Sequence, residues 1–307
     1  MTLDAVVHDA GEVVVGPRPE APIDGGDGDR ADSVALHEDA AVAIVDGRVA
    51  AVGPTDEVTR THPPENAVTA IDADGRAVVP GFVDAHTHAL FAGDRSDEFA
   101  AKLRGATYQE ILDDGGGILR TVDAVREADD GRLLANLLEH LDIALDHGAT
   151  TVEVKSGYGL DRGTELRMLA TIERADERHP VDVVPTFMGA HAVPDGETET
   201  AYAERVIDEQ LPAVAEQGIA EFCDVFCETD VFELATSRRI LTAGRDHGLT
   251  PKVHAEELSH LGGTRLAADL GAASADHLLH ATDEDVAALA EAGTTPVLLP
   301  GTAFSLG

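Results

Sequence analysis

"VVPGFVDAHTH", Val78 to His88, decides how this chain is read. A nearly continuous apolar run suits a strand buried on both faces of a parallel sheet. The run ends in two histidines one residue apart. Side chains alternate along a strand, so His86 and His88 point to the same face. At the mouth of a barrel strand both reach one metal ion.

Downstream, short β-rich runs alternate with helical patterns. The predicted strands are "AVVPGFVDAHTH", "ATTVEVKSGYG", "VDVVPTFMGAH", "EFCDVFCET", "LTPKVHAEE", "AASADHLL" and "TTPVLLPG". Amphipathic segments such as "GRLLANLLEHLDIALDHG", "GTELRMLATIERADERH" and "TDEDVAALAEAG" separate them, several ending in a glycine cap. Strand–helix alternation means a parallel sheet covered by helices. Polar residues close nearly every strand, and in a (β/α)8 barrel those ends converge on one site. No G-x-G-x-x-G follows a strand, which argues against a dinucleotide-binding sheet. The expected fold is an α/β TIM-like barrel with about seven of eight strands present. "DDGGGIL", Asp113 to Leu119, reads either as a flexible loop or as backbone approaching a ligand.

Upstream, residues 1–77 have a different rhythm. "AVAIVDGRVAAVG" places two apolar runs around Asp46-Gly47, a hairpin signal. "AVTAIDADGRAVVPG" repeats it around Asp74-Gly75. Gly16 to Ser33 is rich in Pro, Gly and Asp and reads as a surface loop. The expectation is a small, incomplete β-sandwich domain over 1–77 and the barrel over 78–307.

The strand ends carry the chemistry. "KVHAEE" offers His254 as a third ligand beside His86 and His88, and neutral imidazole suits Zn or Fe. Such a site, kept open for water, lowers the pKa of that water to about 7. Glu257 or its neighbour Glu256 would carry the proton. His277, in "SADHLL", either donates to a developing oxyanion or orients the water; Asp276 is expected to face away or support a loop. His191 and Tyr158 end two further strands. Arg95 suggests recognition of a substrate carboxylate, or pairs with Asp94, Asp97 or Glu98. Lys155 is read as an ordinary ion-pair partner of Glu153 or a nearby acid, rather than as a carbamylated metal bridge.

Composition bounds the partners. The 307 residues hold 58 acidic and 22 basic side chains, a formal net charge of −36. The acids are spread over periodic apolar segments, so they do not form a disordered tail. This is the charge balance of a protein adapted to high salt, as in a halophile. It disfavours nucleic acid and anionic membranes as partners. No apolar run is long enough to span a bilayer, and the N-terminus does not read as a signal peptide. Cys223 and Cys227 are expected to be reduced and buried, and the location cytoplasmic.

Together these residues resemble the amidohydrolase superfamily and, within it, the imidazolonepropionase family. The resemblance rests on "PGFVDAHTHALFAGDR", "GGGIL", "TTVEVKSGYGL", "VPTFMGAHAVP", "FCETDVF", "KVHAEE", "GGTRLAADLGAASADHL" and "LLPGTAFSLG", in that order across most of 78–307. It implies one Zn or Fe ion on His86, His88 and His254, and catalysis by Glu257 and His277. It implies substrate held by Arg95, Tyr158, His191 and Glu257. It selects Glu257 over Glu256 and leaves Lys155 unmodified. The implied reaction opens 4-imidazolone-5-propanoate to N-formimidoyl-L-glutamate. A homodimer and a small substrate carrying a carboxylate are the implied partners. The nearest rivals are a deaminase of a heterocyclic base and a non-catalytic fragment. The family's fourth ligand, an Asp after strand eight, is expected beyond Gly307, leaving an open seam between the first and seventh strands.

Overall fold

The computed structural model describes residues 1–17, 34–106, 110 and 116–306. Most of the Gly16–Ser33 loop and residues 113–115 of the glycine-rich segment lie outside the described residues. The chain divides into two compact units, Met1–Gly81 and Phe82–Gly307.

In the first unit β1 (Leu3–Pro17), β2 (Val34–Val45), β3 (Arg48–Pro54) and β4 (Thr69–Asp72) form a sheet in the order β3-β2-β1-β4. A fifth strand, β5 (Ala77–Val78), also pairs with β1. Asp46 and Gly47, at φ 49° and 72°, close the antiparallel β2–β3 hairpin, the left-handed pair that an Asp-Gly turn supplies. Period-two alternation splits the β2 side chains. Ala40 and Val42 pack with Ala10, Val13 and Ala73, while Ala41 and Ala43 pack with Val6 and Val58. A second sheet that would complete a sandwich is not among the described residues.

Asp74-Gly75 does not make the second hairpin that its sequence suggests. The turn is left-handed, at φ 51° and 74°, but β4 and β5 both run parallel to β1. β1 itself bends at Asp9, φ 55°, and the turn follows that bend. Ala73 N donates to His8 O, Gly75 N to Asp9 O, and Gly11 N to Arg76 O. A Cβ at Gly11 would strike the Gly75 carbonyl, so glycine is what lets the two backbones stay this close.

The stretch "AVVPGFVDAHTH" also differs from expectation. It is not one strand. Ala77–Val78 belongs to the first unit's sheet, and β6 (Phe82–Asp84) belongs to the second. The interruption falls at Pro80-Gly81. Proline cannot donate to a ladder, so a strand running through it stops.

The second unit holds a seven-stranded parallel sheet. β6, β7 (Ala149–Lys155), β8 (Asp182–Ala190), β9 (Phe222–Cys227), β10 (Thr250–Ala255), β11 (Ser274–His277) and β12 (Thr295–Val297) are neighbours in chain order. Among the described residues β6 and β12 have no outer partner, which agrees with seven strands of an eight-stranded barrel. Helices follow the strands. Asp129, Asp161 and Thr282 cap three of them by accepting backbone N–H bonds, and Thr282 and Asp285 form a reciprocal capping box. Gly293 ends the helix that Thr282 caps, and Gly218 and Gly271 end two others, all in the left-handed conformation.

Alternation along these strands builds two different layers. Val152, Val154, Cys223, Val225, Cys227, Val253, Ala255 and Ala275 join the apolar core. Both cysteines are free and buried there. The residues between them, Glu153, Lys155, Asp224, Lys252, His254 and Asp276, are buried on the opposite face and pair with one another. This polar row is the floor of the candidate site.

Candidate active site

His86 and His88 lie just past β6, on a segment that stays alongside β7. Thr87 holds it there: its Oγ donates to Glu153 O at 2.6 Å, and its carbonyl accepts Lys155 N at 3.1 Å. The residues flanking Thr87 therefore turn toward the floor together. His254 sits within β10, one residue before its end. One ligand nitrogen from each of His86, His88 and His254 lies within 4.8 Å of the others. The Nε2 atoms of His88 and His254 face each other at 3.2 Å.

Two carboxylates lie behind this trio. Asp276 Oδ2 accepts His86 Nδ1 at 2.6 Å. Asp224 Oδ2 lies 3.0 Å from His254 Nδ1, close but out of line for a hydrogen bond. Lys155 Nζ is 2.8 Å from Asp224 and 2.7 Å from Glu153, so its reading as an ordinary ion-pair partner stands. Burial alone would lower its pKa, but Asp224, Glu153 and Asp276 outweigh this and raise it. Asp276 does not face away from the site. It is fully buried, because its place on β11 is in register with His254 on β10.

Burial holds His86, His88 and His254 well below the ordinary imidazole pKa, so they are neutral. Each then has a lone pair to offer. Buried His88 Nδ1 and both ring nitrogens of His277 have no hydrogen-bond partner. A neutral three-imidazole set with facing Nε2 atoms and unpartnered nitrogens beside it fits a divalent cation.

The acid pair after His254 is resolved by packing. Glu256, at φ 50°, turns away from the histidines. It accepts the backbone N–H groups of Leu261, Gly262, Gly263 and Thr264, at the start of helix Gly263–Leu270. Glu257 instead reaches within 3.5 Å of His277 Nε2. Burial, with repulsion from Glu228 added, pushes its pKa up to about 7. His277 and Leu278 are both left-handed, at φ 80° and 61°. That kink departs from the strand path where the His277 ring packs 5.0 Å from His86 and 5.1 Å from His254.

His191 and Tyr158 flank the other side. The His191 ring stacks on His88 at 4.7 Å, and Tyr158 lies 5.1 Å from His191 and 5.8 Å from His88. Burial raises the Tyr158 pKa to about 12, opposed by the charge of Arg95. Arg95 thus acts on the same side of the site. Its Nε and Nη2 donate to Glu98 Oε2 at 2.8 and 2.7 Å, so the ion pair foreseen as an alternative is formed. The floor residues Asp224 and Asp276 were not singled out as site residues from the sequence, nor was Glu228. The signal for the first two was available: each lies on the inward phase of its strand, in register with Lys252 and His254 on β10. A second group, His8, Asp9 and Asp72, also brings ligand atoms together, but Asp9 and Asp72 are exposed.

A family profile described as "Imidazolonepropionase-like composite domain, bacteria" matches residues 40–64. The chain is 69% identical over 306 residues to the imidazolonepropionase of Haloarcula marismortui, covering all of this chain and 70% of that protein. It is 66% identical over 305 residues to that of Halobacterium salinarum, covering 99% of this chain and 70% of that one. The chain belongs to the imidazolonepropionase family. Its fold matches a triazine hydrolase from Arthobacter aurescens with a TM-score of 0.66 at 14% identity, over 99% of this chain and 66% of that structure. That likeness is one of fold, an α/β barrel with its strands in chain order. The acid excess is in keeping with its halophilic relatives.

Proposed function

We propose that the site opens the ring of 4-imidazolone-5-propanoate, hydrolysing its cyclic amide to N-formimidoyl-L-glutamate in histidine degradation. The observation that carries this reading is the position of Glu257. It is a carboxyl with a pKa of about 7, 3.5 Å from His277, beside three convergent imidazoles in a member of this family.

His86, His88 and His254 would hold the ion. When bound, one divalent Zn or Fe supplies Lewis acidity and lowers the pKa of water to about 7. Glu257 takes a proton from the attacking water and returns it to the leaving ring nitrogen; a carboxyl poised near neutrality serves both halves. His277, whose ring nitrogens have no partner, donates to the developing oxyanion. Tyr158 and His191 bound the ring's binding face beside His88. Arg95, steadied by Glu98, receives the propanoate. In this reading the small β domain runs to Gly81 rather than to residue 77, since Val78 pairs with β1, and Phe82–Gly307 is the catalytic domain. A cytoplasmic homodimer without nucleic-acid or membrane partners completes it. No described helix is long and apolar enough to cross a membrane.

Arg95→Ala tests the substrate. A lost charge-assisted contact is worth about 1.5–3 kcal/mol, so KM for imidazolone propanoate should rise roughly tenfold or more. Arg178→Ala, an exposed residue in the turn before β8, is the control. Equal KM changes in the two variants would remove the propanoate assignment and favour a substrate without a carboxylate, such as a heterocyclic base.

A further inference from the structure

We propose that Lys155, Asp276 and Asp224 are positioning residues for the metal. The lysine clamps two carboxylates; Asp276 holds the His86 ring by a hydrogen bond and Asp224 faces the Nδ1 side of His254, so that both rings turn Nε2 to the centre. This rests on the reading of His86, His88 and His254 as the ligand set.

The geometry is that of a bridge. Asp276 Oδ2 accepts His86 Nδ1 at 2.6 Å, and Asp224 Oδ2 stands 3.0 Å from His254 Nδ1. Lys155 Nζ lies 2.8 Å from that Asp224 oxygen and 3.8 Å from that Asp276 oxygen. Lys252 Nζ approaches Asp276 from elsewhere, at 3.7 Å, and donates to Ala85 O at 2.9 Å. It thereby ties the backbone immediately before His86 to the same cluster. All four side chains are buried.

A neutral imidazole carries one N–H and one lone pair. A carboxylate at Nδ1 keeps the proton there and leaves the lone pair on Nε2. Asp276 therefore chooses the His86 tautomer through a hydrogen bond, and the Asp224 charge 3.0 Å from His254 Nδ1 favours the same tautomer there. His88 has no carboxylate paired with its ring among the described residues; its Nδ1 is buried without a hydrogen bond, and its ring stacks on His191. Two aspartates this close to each other repel unless a cation stands between them, and Lys155 fills that position. The arrangement assigns the lysine a task beyond filling the barrel interior: it keeps both carboxylates aimed at the imidazoles.

Asp276→Leu is the discriminating variant. It leaves Lys155 and Lys252 facing Glu153 and Asp224, two cations against two anions, so the cluster stays balanced. The measurements are the imidazole nitrogen shifts of the full chain labelled with 15N-histidine, and the affinity for Zn(II) alone by chelator competition. In the metal-free native chain His86 and His254 should show the Nδ1–H tautomer. Asp276→Leu should mix the tautomers of His86 and weaken Zn about 10- to 100-fold, and Asp276→Asn, which keeps an acceptor, should restore the native tautomer. Lys155→Met should disturb both rings; if it does not fold, the Asp276 pair carries the test. His88→Ala separates the two readings. Should it abolish Zn binding while Asp276→Leu keeps the native tautomer and an affinity within about threefold, the positioning role is overturned. Should His88→Ala bind Zn as the native chain does, the ligand set itself is wrong, and this inference falls with it.

Discussion

Glu256 and Glu257 are chemically identical neighbours put to opposite uses. Glu256 is fully buried and spent on backbone N–H groups, whereas Glu257 faces His277. A positive φ at Glu256 accomplishes the separation. For a proton shuttle, Glu257→Gln should lower kcat about 10²- to 10⁴-fold with little change in KM. The same group couples stability to pH. Its pKa rises from 4.5 to about 7 on folding, so the folded state binds its proton more tightly than the unfolded one. The stabilisation is full below 4.5 and is lost as pH rises through about 7. In metal-free protein, the Tm of the native chain relative to Glu257→Gln should fall across that window. A constant difference would show that the carboxyl is not poised as described. At this scale much was legible. His86, His88, His254, His277, His191 and Tyr158 were nominated from strand ends, and the structure brings them together. Glu256 and Glu257 could not be separated by spacing alone, because their difference lies in one backbone angle. Asp276, expected to face away or support a loop, meets His86 instead, because its position depends on the register of β11 against β10 and not on its own strand alone.

Loops at the mouths of the strands are held by buried acids. Glu165, on helix Arg162–Asp176, accepts N–H bonds from Gly157, Gly159 and Leu160 at 3.0, 2.7 and 2.9 Å. Those residues surround Tyr158. Glu228 accepts Leu258 N at 2.9 Å and Ser259 N at 3.2 Å, immediately after Glu257. Each acid fixes a loop from a distance, through its backbone. Glu165→Gln turns an amide N–H toward donors, and an unsatisfied buried group costs about 1–3 kcal/mol. The variant should lose Tm and raise KM through the loosened Tyr158 loop. An unchanged KM with lowered Tm would confine Glu165 to stability. The elements themselves were largely readable, since strand–helix alternation and the Asp46-Gly47 turn carry strong local signals. Two readings failed where the local signal was right but its partner was wrong. Asp74-Gly75 makes its turn alongside β1, and the run through Pro80-Gly81 divides between two sheets.

For the whole molecule, solvent decides much of the stability. With a net charge of −36, exposed acids repel over a screening length of about 10 Å at 0.1 M salt and about 3 Å at 1 M. The Tm should therefore climb steeply with KCl up to the molar range. A flat salt profile would contradict the reading of the charge as an adaptation to salt. Composition revealed this surface directly. It could not reveal where the rare cations are needed, because that depends on which strands become neighbours in the sheet.

The chain has only three lysines, Lys102, Lys155 and Lys252. Lys155 and Lys252 are at 0% and 4% exposure, whereas Lys102 is exposed on helix Ser96–Leu103. Amine-reactive reagents should then read the molecule as a counter. A brief pulse of acylation on the folded chain should modify the α-amine and Lys102, and mass spectrometry should find the other two sites only after the barrel opens. Each added mass beyond the first pair would report an opening of the polar floor itself, without a dye, an engineered probe or an assay of turnover.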